Sequence, residues 1–332
     1  MKRTSSSLRR PAILVLWVAL VATCVWRYVW AETRGPFSPP DAPARADAVG
    51  ELGSLPAAMR RAFSPVDAAF APLPEPGASD WLNGPGRGDR GGQTFADFLE
   101  ARRNPVTGAR RTLYLAPLGD FSDIGGGGGG EMVESLRAFA SIYFGLPAKT
   151  LPDLDPATLA ITERQNPSTR QRQWLTTDIL AALKAKIPAD AYCLIALTPV
   201  DLYPDPDWNF VFGQASLADR VGVFSLARYA SDPGSGQTTV LQRACKVLTH
   251  EIGHMFGARH CIHFHCNMNG SNGLWETDRA PLHLCPACLR KIQTATQFKP
   301  AERYEELAKF YTKYGLDAEA EWAAGRRERV AD

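Results

Sequence analysis

The 332-residue chain has little net charge, +2 with its histidines neutral. Nucleic-acid binding is therefore not expected, because a phosphate backbone is held by a marked basic excess. Acid is missing altogether from residues 1–31, which carry Lys2, Arg3, Arg9, Arg10 and Arg27, so the remainder of the chain is mildly acidic. Cysteine is absent between Cys24 and Cys193, which excludes a propeptide that blocks a metal with a thiol. The glycine run Gly125–Gly130 has Glu131 after it, where a phosphate-binding loop needs Lys-Ser/Thr, and it reads as a flexible loop. Histidine is scarce, and all 6 histidines fall between residues 250 and 283.

Three of them stand in His250-Glu251-Ile252-Gly253-His254-Met255-Phe256-Gly257-Ala258-Arg259-His260-Cys261. Positions four apart on a helix share a face, so His250 and His254 can grip one metal ion through ring nitrogens at about 2.0–2.1 Å. Glu251 lies one step round the helix. Zinc lowers the pKa of its bound water to about 7, and a carboxylate beside it can take that proton at neutral pH. A third histidine six residues further on reaches the same ion only if the chain leaves the helix. Gly257 permits this, since glycine tolerates the left-handed conformation. The expected catalytic residue is Glu251, and the expected zinc ligands are His250, His254 and His260.

Behind the third histidine, Cys261, Cys266, Cys285 and Cys288 form two close pairs, C-x4-C and C-x-x-C. This layout suits a closed tetrathiolate zinc site, with disulfides as the alternative in an oxidising compartment. His263, His265 and His283 are expected at the surface or behind the ligands.

Residues 1–31 read as a signal peptide or membrane anchor. A basic stretch precedes an apolar run, Ala12–Val25, and Val29-Trp30-Ala31 offers a small-residue cleavage site. The expected location is periplasmic or extracellular, with anchoring by residues 11–30 as one form. Residues 32–94, rich in Pro, Ala and Gly, read as a linker or disordered tail. The catalytic domain is expected over 95–298 and a helical extension over 299–332. Within the domain, periodicity predicts strands at 112–116, 192–197, 209–212 and 222–227. It predicts helices at 132–143, 174–187 and 241–256, then at 289–294, 301–314 and 317–329, with the charge of the last on a solvated face.

His250-Glu251-x-x-His254-x-x-Gly257-x-x-His260-Cys261-x4-Cys266-x-Met268, followed by Cys285-Pro286-Ala287-Cys288, closely resembles the archaemetzincin signature of the metzincin clan, and the resemblance extends over roughly 110–315. It implies an α/β (α+β) catalytic domain with a five-stranded mixed twisted sheet, an active-site helix, a zinc-stapled C-terminal subdomain and a helical tail. It implies two zinc ions per chain, one catalytic and one structural, with Met268 as an apolar floor under the histidines. It further implies that Asn209, Phe210, Val211, Phe212 and Gly213 belong to the edge strand along which a peptide substrate lies. The expected protein is a monomeric zinc-dependent peptidase. The family pattern offers a cytoplasmic location as the alternative to export. The rival function is a catalytically weak or inactive peptide-binding protein of the same fold. The intact Glu251 argues against it, because capture needs no general base.

Overall fold

The computed structural model describes residues 35–331 except 85–89, 102, 123, 125–128 and 231–234. The expected export segment, Cys24 and most of the glycine run lie outside the described residues. Among the described residues no helix is long and apolar enough to cross a membrane. Contacts divide the chain into two units. In the smaller one, comprising 1–38 and 75–90, the Asn83 side chain accepts from Phe37 N at 2.8 Å and donates to the Pro76 carbonyl at 2.9 Å. The larger one, 39–74 and 91–332, carries both sheets and all the site residues.

Among the described residues of the larger unit there are eight strands: β1 Thr112–Pro117, β2 Ala148–Thr150, β3 Glu163–Gln165, β4 Arg172–Leu175, β5 Ala191–Thr198, β6 Asp201–Tyr203, β7 Gly213–Ser216 and β8 Val221–Ser225. Five form a mixed sheet in the order β2-β1-β5-β8-β7, parallel except for the last pair. β1 and β5 are buried along their whole length, as central parallel strands covered on both faces must be, and this is why each reads as a continuous apolar run. β3, β4 and β6 make a second, smaller sheet that the sequence pattern did not reveal. Strands of three or four residues are too short to establish a period.

One face of the main sheet is covered by the helices Gly129–Phe144, Gln237–Met255, Pro286–Thr296 and Pro300–Lys313, whose Leu136, Phe139, Leu248, Ile252, Ile292 and Phe310 share one core with Leu113, Leu115 and Ile195. On the other face, Leu194, Ala196, Val221 and Val223 pack with Trp174, Ile179 and Leu183. The helix expected over 174–187 divides into β4 and a helix at Thr176–Lys184.

Two further expectations are corrected by the packing of the larger unit. The first concerns residues 32–94, placed in a linker by composition. Within them, Ala42–Val49 and Ala57–Ala62 are helices, and Val49, Phe63 and Phe70 are buried in the main core. Proline misled here because Pro43 sits in the first turn, where a helix needs no N–H, and Asp41 caps that turn by accepting from Ala44 N at 2.9 Å. The second concerns the last helix, Asp317–Val330, whose charge is not wholly solvated. Arg326 is 1% exposed, pairs with Asp67 from the supposed linker, and lies 4.5 Å over the Phe70 ring.

Candidate active site

The Gln237–Met255 helix buries almost all of one flank and ends at the metal motif. Gly257 then turns the chain with φ +91, and a Cβ there would lie 2.8 Å from Arg103 Cγ, so both conformation and space favour glycine. His250, His254 and His260 converge: their ligand atoms lie within 4.8 Å of one another, and the Nε2 atoms of the first two are 3.0 Å apart. Backbone carbonyls aim the rings. His250 Nδ1 donates to Asn267 O and His254 Nδ1 to Ala258 O, each at 2.8 Å. Since a carbonyl only accepts, Nδ1 carries the proton and Nε2 keeps its lone pair for the metal.

Burial pushes His250 down to about 3, with the His254 charge adding to the effect, and it lowers His254 and His260 as well. Neutral imidazole is the ligating form, so the electrostatics suit a cation. Glu251 is 8% exposed, and burial pushes its carboxyl up to about 8. Gly213, at the start of β7, stands against it: a Cβ there would lie 2.8 Å from Glu251 Oε1.

Cys261, Cys266, Cys285 and Cys288 are buried, free of disulfides, and close enough for their sulfurs to fall within 4.8 Å of one another. The Cys261–Cys285 Sγ separation is 3.7 Å. A disulfide requires about 2.05 Å, whereas a tetrahedron with zinc–sulfur arms of about 2.3 Å has edges of about 3.8 Å. Hydrogen bonds from the other three thiols hold Cys261 well below its ordinary range, while burial pushes Cys266 and Cys285 well above theirs. Four thiolates cannot all ionise in such a place without a cation, and the donor set therefore fits zinc. Backbone amides also turn toward the sulfurs: Met268 N and Cys285 N donate to Cys266 Sγ at 3.4 and 3.2 Å.

Met268 is fully buried, and its Sδ would lie 2.6 Å from a Cβ on Gly253, so the methionine packs directly against the motif helix. The Met268 carbonyl accepts from Cys261 N at 2.7 Å, tying the residue after the third histidine to this turn.

The edge strand departs from expectation. Of Asn209–Gly213, only Gly213 belongs to β7. Val211 makes an isolated bridge to Leu202, and the Asn209 carbonyl accepts from Gln173 Nε2 at 2.9 Å and Asn166 Nδ2 at 3.0 Å. The alternating aromatics read as a strand, but side chains hold the Asn209 carbonyl before them, and only at Phe212, whose carbonyl accepts from Ser225 N at 2.8 Å, does the backbone join β8. The true edge is Gly213–Ser216, paired on one side with β8.

The other histidines are not among the two ligand groups, though the His263 side chain hydrogen-bonds Cys261. His263 is buried, and His283 stacks on Trp322 with centroids 3.8 Å apart. Sequence reading missed Asn267, Thr249, Arg243 and Lys246, all buried. Arg243 and Lys246 leave the motif helix to bind the Leu274–Arg279 segment: Arg243 Nη2 reaches Asp278 at 2.6 Å, and Lys246 Nζ donates to Thr277 O at 3.0 Å. The signal available was their placement on the otherwise apolar flank of that helix.

The sequence pattern of peptidase family M54 matches residues 175–294. Archaemetzincin-2 of Macaca fascicularis and of Homo sapiens are each 37% identical to this chain over 284 residues, spanning 76% of it and 77% of the relative. Archaemetzincin-1 of Homo sapiens is 31% identical over 280 residues, 75% of this chain and 55% of the relative. A crystal structure of archaemetzincin from Methanopyrus kandleri superposes with a TM-score of 0.46 at 30% identity, covering 57% of this chain and 98% of that one. Identity at this level, sustained over most of both chains, places the protein in the archaemetzincins of peptidase family M54, and it is a zinc metallopeptidase.

Proposed function

We propose that His250, His254 and His260 hold the catalytic zinc, that Glu251 is the general base of peptide hydrolysis, and that Cys261, Cys266, Cys285 and Cys288 hold a second zinc. The observation that carries this reading is the convergence of three neutral imidazoles, two of them anchored by backbone carbonyls, beside the buried Glu251 carboxyl. Zinc held there supplies Lewis acidity, polarising the scissile carbonyl and acidifying the attacking water.

The chain's own groups do the rest. Glu251 takes the water proton and delivers it to the leaving amine. Glu251 is buried and next to His250 on the motif helix, which places one carboxyl within reach of both transfers. β7 is the last strand of its sheet, and an extended peptide adds along its outer side as a further strand beside Glu251. Export rests on the basic and apolar order of residues 1–31. Fractionation of cells expressing the full chain tests it, and recovery of all the protein in the cytosol would sink it.

Glu251→Gln tests the mechanism. The variant should keep its zinc and lose hydrolysis of peptides that the parent cleaves. Retained turnover would remove Glu251 from the role of base.

A further inference from the structure

We propose that Asn267 is a positioning residue of the histidine site, the clamp that fixes the turn at 266–268 against the motif helix and thereby aims His250. This inference rests on the metal assignment proposed above. Lys246, Thr249, His250 and Gly253 fall at i, i+3, i+4 and i+7, one stripe of the helix, and that stripe meets residues 267 and 268. The Asn267 side-chain amide uses both protons on it, donating to Thr249 Oγ1 at 2.8 Å and Lys246 O at 3.2 Å. Thr249 passes its own hydroxyl proton to Cys245 O at 2.8 Å, leaving its oxygen to receive the amide. One turn further along, the Asn267 carbonyl accepts from His250 Nδ1 at 2.8 Å, and beyond that Met268 Sδ presses on Gly253. On the far side, Asn267 N donates to His283 O at 2.9 Å.

Asn267 is 4% exposed and Thr249 fully buried, so water cannot replace these bonds. The carbonyl that orients His250 belongs to the residue whose side chain is tied to the same helix, and the geometry closes a ring. The neighbour on one side, Cys266, belongs to the cysteine cluster, and on the other Met268 forms the floor. A backbone carbonyl could orient His250 with any residue at 267. The side chain fixes the distance of residue 267 from the helix, whereas the other ties of the turn run to His283, to Cys261 and to the cysteine cluster. Loss of a partner that orients a ligand in this way lowers metal affinity by about 10–100-fold.

The test uses the full chain loaded with zinc and titrated with a competing chelator, while reactivity of the cysteine thiols reports separately on their cluster. Asn267→Leu keeps the buried volume and removes the amide. It should weaken zinc at the histidines by about 10–100-fold and leave the thiols as protected as in the parent. Thr249→Val should weaken it in the same direction, Thr249→Ser should restore it, and Asn267→Leu with Thr249→Val should be no worse than Asn267→Leu alone. Should Asn267→Leu fail to fold, the Thr249 pair decides. Histidine-site affinity within twofold of the parent in Thr249→Val, or in a folded Asn267→Leu, overturns the proposal. Failure of the metal assignment itself would show earlier, as a parent protein that holds no zinc at its histidines, and would overturn both.

Discussion

Replacing Gly213 by alanine moves the carboxyl proposed as general base while leaving the proposed zinc ligands in place. The added Cβ would lie 2.8 Å from Glu251 Oε1 and 3.0 Å from its Cδ and Cγ. Ordinary contact begins at 3.4 Å, so the carboxylate must retreat by about 0.6 Å. Gly213 does not occupy the left-handed region, hence alanine adds no backbone strain, and no zinc ligand is touched. A displacement near 1 Å at a reacting group costs about 10²-fold in rate, which sets the expected loss in kcat at about tenfold. KM should change little, because peptide pairing with β7 uses backbone groups. Steady-state kinetics on a cleavable peptide give the two constants, with zinc content and thermal stability as controls. A variant that keeps the parental kcat would show that Glu251 does not act from the position it holds against β7.

The buried Asp67–Arg326 pair predicts a large effect on stability far from the zinc sites. Asp67→Ala leaves Arg326 charged and 1% exposed. It should cost about 3–5 kcal/mol and lower the melting temperature by roughly 6–20 °C in a calorimetric or circular-dichroism melt. The same pair gives an acid limb. Burial opposes ionisation of Asp67, but the Ala69 N–H and the Arg326 charge outweigh it and lower its pKa. Its contribution is therefore fully present above the unfolded value of about 3.9 and lost as pH falls through the lower folded value. Asp67→Ala should lose this part of the acid sensitivity of the parent. Cys261→Ser should reduce zinc content by one ion and lower peptidase activity with it, because loss of the cluster loosens the turn in which the residue after His260 is tied to the Met268 carbonyl. A fully active serine variant would separate the cysteine cluster from catalysis.

Much of the site was legible because its residues are close in sequence. A four-residue helical step places His250 and His254 together, and Gly257 marks the exit that brings His260 round, whatever the rest of the fold does. The cysteine cluster and Met268 were legible for the same reason. Central strands β1 and β5 showed themselves as apolar runs, since burial on both faces leaves no polar period. Illegible were the features made by long-range contact. Asn209–Phe212 looked like a strand, but the Asn209 carbonyl is occupied by the side chains of Arg164, Asn166 and Gln173, in or next to the small sheet, and Val211 N donates to Leu202 O of that sheet. Nothing local to those residues announces such partners.

The sequence by itself determined the chemistry: the ligand types, their spacing, the adjacent carboxylate and the four thiols follow from residue identity and helical geometry. Only the tertiary structure decided where the edge strand of the sheet begins, that residues 39–74 pack with the larger unit, and that Asn267, Thr249, Lys246 and Arg243 bind the motif helix to the turn and segment beyond it. The physical reason is that burial and hydrogen-bond partners are properties of approach. A proline-rich stretch folds once a core exists for Val49, Phe63 and Phe70 to enter, and Asn267 becomes a clamp only when the chain brings it back against a helix 17 residues before it.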